Sequence, residues 1–188
     1  MKLNKIALGF TTLALAIPIL AAGVNSGLSV GEMVTPFHPN HVVGPDKGTD
    51  TCPPCKYGAR PAVQVWVNGD NMSEVEAIAK ALNKAVISNK DKSLKGFVIV
   101  VTDQAKSASV AKELVAIGEK NKISDIGMAW LPKGNEAIGA YKYNVSADVK
   151  NTVFVYENKK VAAKIVNLKA DAKGLGELSK AISQIVAE

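Results

Sequence analysis

The first half of the chain alternates between apolar runs and helical repeats. Residues 62–67 (AVQVWV) form an apolar, β-rich run bounded by a proline and an Asn-Gly pair, which predicts a strand. Ser73 and Glu76 form a capping box, and apolar residues then recur at helical spacing to about Ser88. Residues 96–101 (GFVIVV) are apolar throughout, a pattern typical of a central strand buried on both faces. A strand, a helix and a second strand are therefore predicted in succession.

The second half is predicted to hold a helix, a strand, a loop, a hairpin and a final helix, at residues 107–120, 126–131, 134–150, 152–166 and 172–187. The run Glu157-Asn158-Lys159-Lys160 is the predicted hairpin turn. With a short edge strand at 37–43, the order is β-α-β-α-β-β-β-α. Strand–helix alternation implies parallel strands with right-handed crossovers, and the hairpin must be antiparallel. The predicted class is α/β, with a mixed sheet and helices on both faces.

The amino-terminal segment has the features of a secretory signal. Lys2 and Lys5 precede the apolar residues 6–20, and small residues follow. Residues 1–22 are therefore predicted to be a cleaved signal peptide, with an uncleaved anchor as the alternative. The protein is expected to act outside the cytoplasm, in a periplasm or secreted, with no membrane span after the signal is removed. Residues 23–50, rich in Gly and Pro, are predicted to be an extended lead-in to a domain at 51–188.

Charge and motif content argue against several function classes. The chain carries 23 basic and 17 acidic side chains, a net charge of +6, with the lysines scattered along it. No basic stripe with interleaved aromatic residues is present, so nucleic acid is not an expected partner. No Gly-rich phosphate loop precedes a helix, so nucleotide binding has no support, and no cofactor is predicted.

Both cysteines of the chain lie in one short motif, Cys-Pro-Pro-Cys-Lys, at Cys52 and Cys55. Outside the cytoplasm such a pair tends to be oxidised. The spacing lets one thiolate attack a disulfide and the other resolve the mixed species. Lys56 is expected to favour a thiolate by its charge. The motif stands directly before the strand at 62–67, and no helix is predicted between them.

Two other interpretations of the same residues stay open. The pair could be a structural bridge that fastens the lead-in to the sheet, although so small a ring gives modest entropic stabilisation. Alternatively, His38 and His41 precede the cysteines in the pattern His-x2-His-x10-Cys-x2-Cys. Two imidazoles and two thiolates could hold Zn²⁺ tetrahedrally, or take Cu(I), which would make the protein a metal carrier.

The element order, together with an exported chain and a Cys-Pro-Pro-Cys motif, resembles the thioredoxin-like superfamily. Residues 30–48 (VGEMVTPFHPNHVVGPDKG) resemble the opening of redoxin-type members. Residues 143–166 (YNVSADVKNTVFVYENKKVAAKIV) are similar to the carboxyl-terminal half of a thioredoxin. The resemblance covers roughly residues 30–188. It implies a thioredoxin-like mixed sheet and thiol–disulfide exchange with a protein or small-molecule thiol or disulfide as partner.

The resemblance also assigns roles to individual residues. Cys52 is expected to attack and Cys55 to resolve, because the amino-terminal cysteine attacks in related dithiols. Tyr57, Arg60 and Trp66 are expected to shape access to the pair. The chain departs from the family pattern in two places, because its dithiol precedes the first core strand and Asn151 replaces a cis-proline. A thioredoxin-fold binding module with a structural disulfide is the non-enzymatic alternative.

Overall fold

The computed structural model of the protein describes residues 24–69 and 72–187. The predicted signal peptide, residues 1–22, lies outside the described residues. Six strands form one sheet: β1 Asn40–Val43, β2 Ala62–Asn68, β3 Lys95–Thr102, β4 Gly127–Pro132, β5 Asn151–Glu157 and β6 Lys160–Val166. Five α-helices accompany them: α1 Pro53–Tyr57, α2 Met72–Ser88, α3 Ser107–Lys120, α4 Glu136–Ala140 and α5 Ala172–Val186. The 3₁₀ turn Gln104–Lys106 leads into α3.

The sheet is mixed, as predicted, with the strand order β1-β4-β3-β2-β5-β6. Strands β2, β3 and β4 are parallel to one another. Strand β5 is antiparallel to β2, and β6 pairs with β5 in the predicted antiparallel hairpin. Strand β1 is antiparallel to β4 at the opposite edge. The buried central strands carry the continuous apolar runs from which they were predicted.

Helices cover both faces of the sheet, but the three long ones share a single face. Buried residues of α2, α3 and α5, such as Ile78, Leu114 and Ile182, pack against the buried valines on one face of the central strands. This sharing follows from handedness. The crossovers β2-α2-β3 and β3-α3-β4 both step in the same direction across the sheet, and right-handed connections then place both helices on one side.

The second face is covered by the lead-in and the two five-residue helices. Leu28, Val34 and Phe37 are buried there, together with Tyr57 of α1 and Ala137 of α4. The lead-in bonds to both edges of the sheet: residues 31–34 make backbone hydrogen bonds to β6 and the residue before it, and β1 pairs with β4. The described part of the lead-in therefore spans this face from one edge strand to the other.

Two short helices lie where the sequence predicts none. The first, α1, contains most of the Cys-Pro-Pro-Cys motif, which the prediction places in a loop with no helix before the strand. Pro53 and Pro54 occupy its first two positions, where a missing N–H costs nothing and the proline φ suits a helix. The second, α4, lies in the predicted 134–150 loop, with Asn135 accepting from the N–H of Ala137. Single-turn helices are too short to show a helical repeat, so periodicity misses them.

No helix among residues 24–69 and 72–187 is long and apolar enough to cross a membrane.

Candidate redox site

The cysteine pair lies at the amino end of the parallel strands. Helix α1 ends at Tyr57, and four residues separate it from the start of β2 at Ala62. The backbone N–H of Asn158, in the β5–β6 turn, donates to the carbonyl of Ala59 and fixes this end of the sheet beside the motif. Ligands of open α/β sheets usually bind at the opposite end, beyond the carboxyl ends of the strands. The motif is therefore at the end of the fold where a ligand site is not expected.

The carboxyl end of β2 lacks the cysteine pair that the sequence resemblance would place there. The sequence between β2 and α2 contains no cysteine. The shallow cavity nearby, about 400 Å³, is lined by residues of three segments, among them Asn68, Lys133 and Lys150. The described residues contain no cis peptide bond, so the bond before Asn151 is trans. The absence of a cis-proline equivalent, expected from the sequence, holds in the structure.

The two cysteines form a disulfide that closes the first turn of α1. Their Cα atoms are 5.3 Å apart. Cys52 is the helix cap: the N–H of Cys55 donates to Cys52 Sγ at 3.2 Å, and the N–H of Lys56 donates to the Cys52 carbonyl at 3.0 Å. The backbone hydrogen bonds of the turn and the disulfide therefore hold the same four-residue ring.

The two cysteine residues differ in exposure, and an attacking Cys52 would require the opposite difference. Cys52 is only 5% exposed. Cys55 is exposed, as are Lys56 and Ala59 after it. Pro53 and Pro54 are buried on the same turn, which leaves Cys55 as its outward position. The expectation of an exposed Cys52 is therefore not met, whereas Cys55 is exposed.

Lys56 forms an ion pair with an acidic group that no sequence pattern singles out. Its Nζ lies 2.5 Å from Asp46 Oδ1, and the Asp46 side chain is only 6% exposed. The other carboxylate oxygen of Asp46 is buried without a hydrogen-bond partner. The negative charge of Asp46 offsets the positive charge of Lys56. This weakens the predicted stabilisation of a thiolate by a free lysine. Asp46 follows a Gly-Pro pair in a turn, the usual position of a solvated aspartate, so no sequence signal distinguished it.

Of the three residues expected to shape access, only Arg60 is exposed. Tyr57, the last residue of α1, is buried, with its ring centroid 5.8 Å from that of Phe97. Burial, reinforced by the nearby Asp46 charge, raises the pKa of Tyr57 to about 12, so its hydroxyl stays protonated and supplies no base to a thiol. Trp66 is completely buried in the centre of the sheet and donates to Gln64 Oε1 at 2.9 Å. Trp66 is a core residue, which corrects the expectation that it lines the approach to the pair.

Each of the two histidine side chains makes a hydrogen bond to a backbone carbonyl. His41 Nε2 donates to the Thr51 carbonyl at 2.9 Å, and His38 Nδ1 lies 2.9 Å from the Asp50 carbonyl. His41 is buried and His38 is exposed. Within the described ranges, no group of three or more His, Cys, Asp or Glu side chains is arranged to hold a metal ion. The geometry gives the metal-carrier interpretation no support; instead both imidazoles fix the segment that leads into Cys52.

Protonation of His41 is expected to loosen this segment. Burial lowers the pKa of His41, against the opposing effects of the Thr51 hydrogen bond and the Asp46 and Asp50 charges. Its Nδ1 is buried without a partner, so a proton there would have no acceptor. Because the folded pKa lies below the unfolded value, the neutral ring stabilises the fold above about pH 6.5, and this contribution is lost as the pH falls through the folded pKa.

Denaturant unfolding between pH 5 and 8 measures this effect. His41→Gln keeps a neutral N–H donor, so the variant should lose the part of the pH dependence that His41 contributes. His38→Gln, at an exposed position, is the matched control and should keep the wild-type profile. An unchanged profile in His41→Gln would refute the assignment.

No protein-family model and no curated protein sequence matches the chain, but solved structures do. An uncharacterized conserved protein from Geobacillus kaustophilus superposes with a TM-score of 0.65 at 11% identity, over 87% of this chain and 86% of its own. A proposed thiol:disulfide interchange protein DsbE from Chlorobium tepidum gives 0.64 at 15% identity, over 85% and 99%. The thioredoxin domain of a Bacteroides vulgatus thiol-disulfide oxidoreductase gives 0.58 at 13% identity, over 82% and 99%.

Identities this low carry information about fold and not about residues of the site. The matches cover most of both chains, and the mixed sheet, the antiparallel hairpin and the helices on both faces agree with what the sequence resemblance implies. The chain therefore has the thioredoxin-like fold.

Proposed function

We propose that the protein exchanges thiols and disulfides through the Cys52–Cys55 pair, with a protein or small-molecule thiol or disulfide as its partner. The observation that carries the proposal is a disulfide closed within one helical turn, with one of its two cysteines exposed at the surface. The similarity to thiol–disulfide oxidoreductases in fold supports the same chemistry. The proposal includes export to a periplasm or to the medium, where the pair would be maintained by an oxidising environment.

The location of the pair restricts the kind of partner. The family's substrate groove belongs to the carboxyl end of the sheet, and the pair lies at the other end. A partner therefore approaches the turn of α1 and the neighbouring β5–β6 turn directly. Small thiols and flexible peptide segments fit such an open surface better than a folded protein that requires a groove.

The reduction potential tests the proposal against a structural bridge. A cycling pair is expected to equilibrate with glutathione buffers and to have a potential above roughly −300 mV, whereas structural disulfides usually lie below it. Insulin reduction by the protein should be lost in Cys52→Ser and in Cys55→Ser. A potential below that range, with no turnover by the wild type, would leave the fold with a structural disulfide.

The alternative, a binding module with a structural disulfide, is favoured by one observation. Cys52 is buried and caps α1, which joins the lead-in to β2. Under this alternative, reduction would lower the stability of the protein without enabling turnover. The metal carrier is not proposed, because the described residues offer no such cluster.

A further inference from the structure

We infer that Cys55, and not Cys52, is the sulfur that forms the mixed disulfide with the partner. The inference rests on the proposed function and reverses the order of roles that the sequence resemblance implies. Three observations carry it: the unequal burial of the two cysteines, the hydrogen bond at Cys52 Sγ, and the pairing of Lys56.

Access to the disulfide favours attack at Cys55. An incoming thiolate must reach the sulfur that it attacks along the extension of the S–S bond. Cys52 is 5% exposed and its turn buries both prolines, so an approach to its sulfur would require the turn to open. Cys55 is exposed on the outward side of the same turn. The difference in burial therefore makes Cys55 the more accessible of the two cysteines to an incoming thiolate.

The environment of Cys52 suits the leaving group. The N–H of Cys55 already donates to Cys52 Sγ at 3.2 Å. A hydrogen bond to sulfur strengthens as the sulfur becomes negative, and a stabilised leaving thiolate departs faster. The Lys56 ammonium is paired with Asp46, which sets its charge against a carboxylate. The backbone N–H is therefore the donor that the structure places on a cysteine sulfur of this turn, and it stabilises Cys52.

The exchange needs no reactant other than the protein disulfide and two substrate thiols. A substrate thiolate attacks Cys55 Sγ, a new S–S bond forms between them, and the Cys52–Cys55 bond breaks with its electron pair on Cys52. A second substrate thiolate then attacks the substrate sulfur of the mixed disulfide and releases Cys55 as a thiolate. Two substrate thiols are oxidised to one disulfide, and the protein pair is reduced. In the opposite direction, Cys55 attacks a substrate disulfide and Cys52 resolves it.

Single-cysteine variants of the full chain test the assignment. Cys52→Ser keeps only Cys55, and Cys55→Ser keeps only Cys52. With dithiobis-nitrobenzoate at pH 7.5, Cys52→Ser is expected to react at least tenfold faster than Cys55→Ser in the folded state. In guanidinium the two rates should converge, because burial no longer separates the thiols. Equal rates in the folded proteins, or a faster Cys55→Ser, would overturn the inference.

A second measurement uses the wild type and does not depend on how the variants fold. The oxidised protein is mixed briefly with glutathione, quenched in acid, alkylated and digested. Tandem mass spectrometry of the peptide holding both cysteines should place glutathione on Cys55 and the alkyl group on Cys52. Glutathione on Cys52 would overturn the reversed roles and leave the proposed exchange intact. A disulfide that resists dithiothreitol in the folded protein would overturn the proposed function as well.

Discussion

Replacing Phe37 with alanine is expected to lower the free energy of unfolding by about 3–5 kcal/mol, the usual range for a buried phenylalanine. Phe37 belongs to the lead-in and is 4% exposed. Its ring centroid lies 5.2 Å from that of Trp66 and 5.3 Å from that of Tyr141, whose hydroxyl donates to the Thr35 carbonyl. The alanine variant leaves a cavity among these rings and weakens the attachment of the lead-in to the sheet.

Thermal and urea unfolding measure the loss, which should appear as a fall in Tm of roughly 10 °C for a domain of this size. Met33→Ala is the matched control: Met33 also belongs to the lead-in but is 53% exposed, so its truncation should change stability by no more than about 0.5 kcal/mol. If Phe37→Ala cost as little as the control, the lead-in would contribute nothing to the core. The variant also tests the surroundings of the cysteine pair, because the Phe37 ring contacts Phe97, and Phe97 in turn packs against Tyr57 of α1.

The elements with long apolar patterns could be predicted from the sequence, because burial dictates their residues. The strand at 96–101 was predicted as buried on both faces, and β3 is fully buried from its second residue onward. The helix at 107–120 has the predicted bounds, with one apolar side on the sheet. The hairpin turn at residues 157–160 joins β5 to β6 as predicted. In each case a single local pattern specifies both the element and the face that it buries.

The site was predicted less well, because its geometry depends on contacts distant in sequence or on single turns. The pairing of Lys56 with Asp46 joins α1 to the loop after β1, and nothing in the sequence around either residue indicates that they are partners. The burial of Cys52 follows from α1, a helix of five residues that has no repeat to detect. The roles that the resemblance assigns require an exposed Cys52, and the structure buries that residue. The resemblance takes these roles from dithiols that follow a strand and begin a long helix, whereas the Cys52–Cys55 pair precedes strand β2.

The two ends of the sheet hold different arrangements of side chains. At the amino end, the disulfide is held by a turn whose other side is buried against the aromatic residues of the second face. At the carboxyl end lies Asn151, which is completely buried. Its side chain makes two reciprocal hydrogen bonds with the backbone of Leu168, so Asn151 stabilises the core.

Asn151→Ala is therefore expected to lower the free energy of unfolding by about 2–4 kcal/mol. The Asn151 amide donates to the Leu168 carbonyl and accepts from the Leu168 N–H, each at 2.8 Å, in surroundings where both partners are buried. Alanine would leave that carbonyl and that N–H without partners, and each unsatisfied buried group costs about 1–3 kcal/mol. Leu168 packs into the core beneath α5, so the loss should also raise hydrogen exchange in α5.

Urea unfolding and amide exchange measure the two effects of this variant together. Asn40→Ala, at an exposed position of edge strand β1, is the control and should remain within about 0.5 kcal/mol of the wild type. The redox behaviour of the cysteine pair, which lies at the opposite end of β2, should be the same in both variants. A small stability loss in Asn151→Ala accompanied by a loss of thiol exchange would mean that the carboxyl end still takes part in the chemistry. A large stability loss with exchange intact is the result expected of a residue that holds the β6–α5 connection in place.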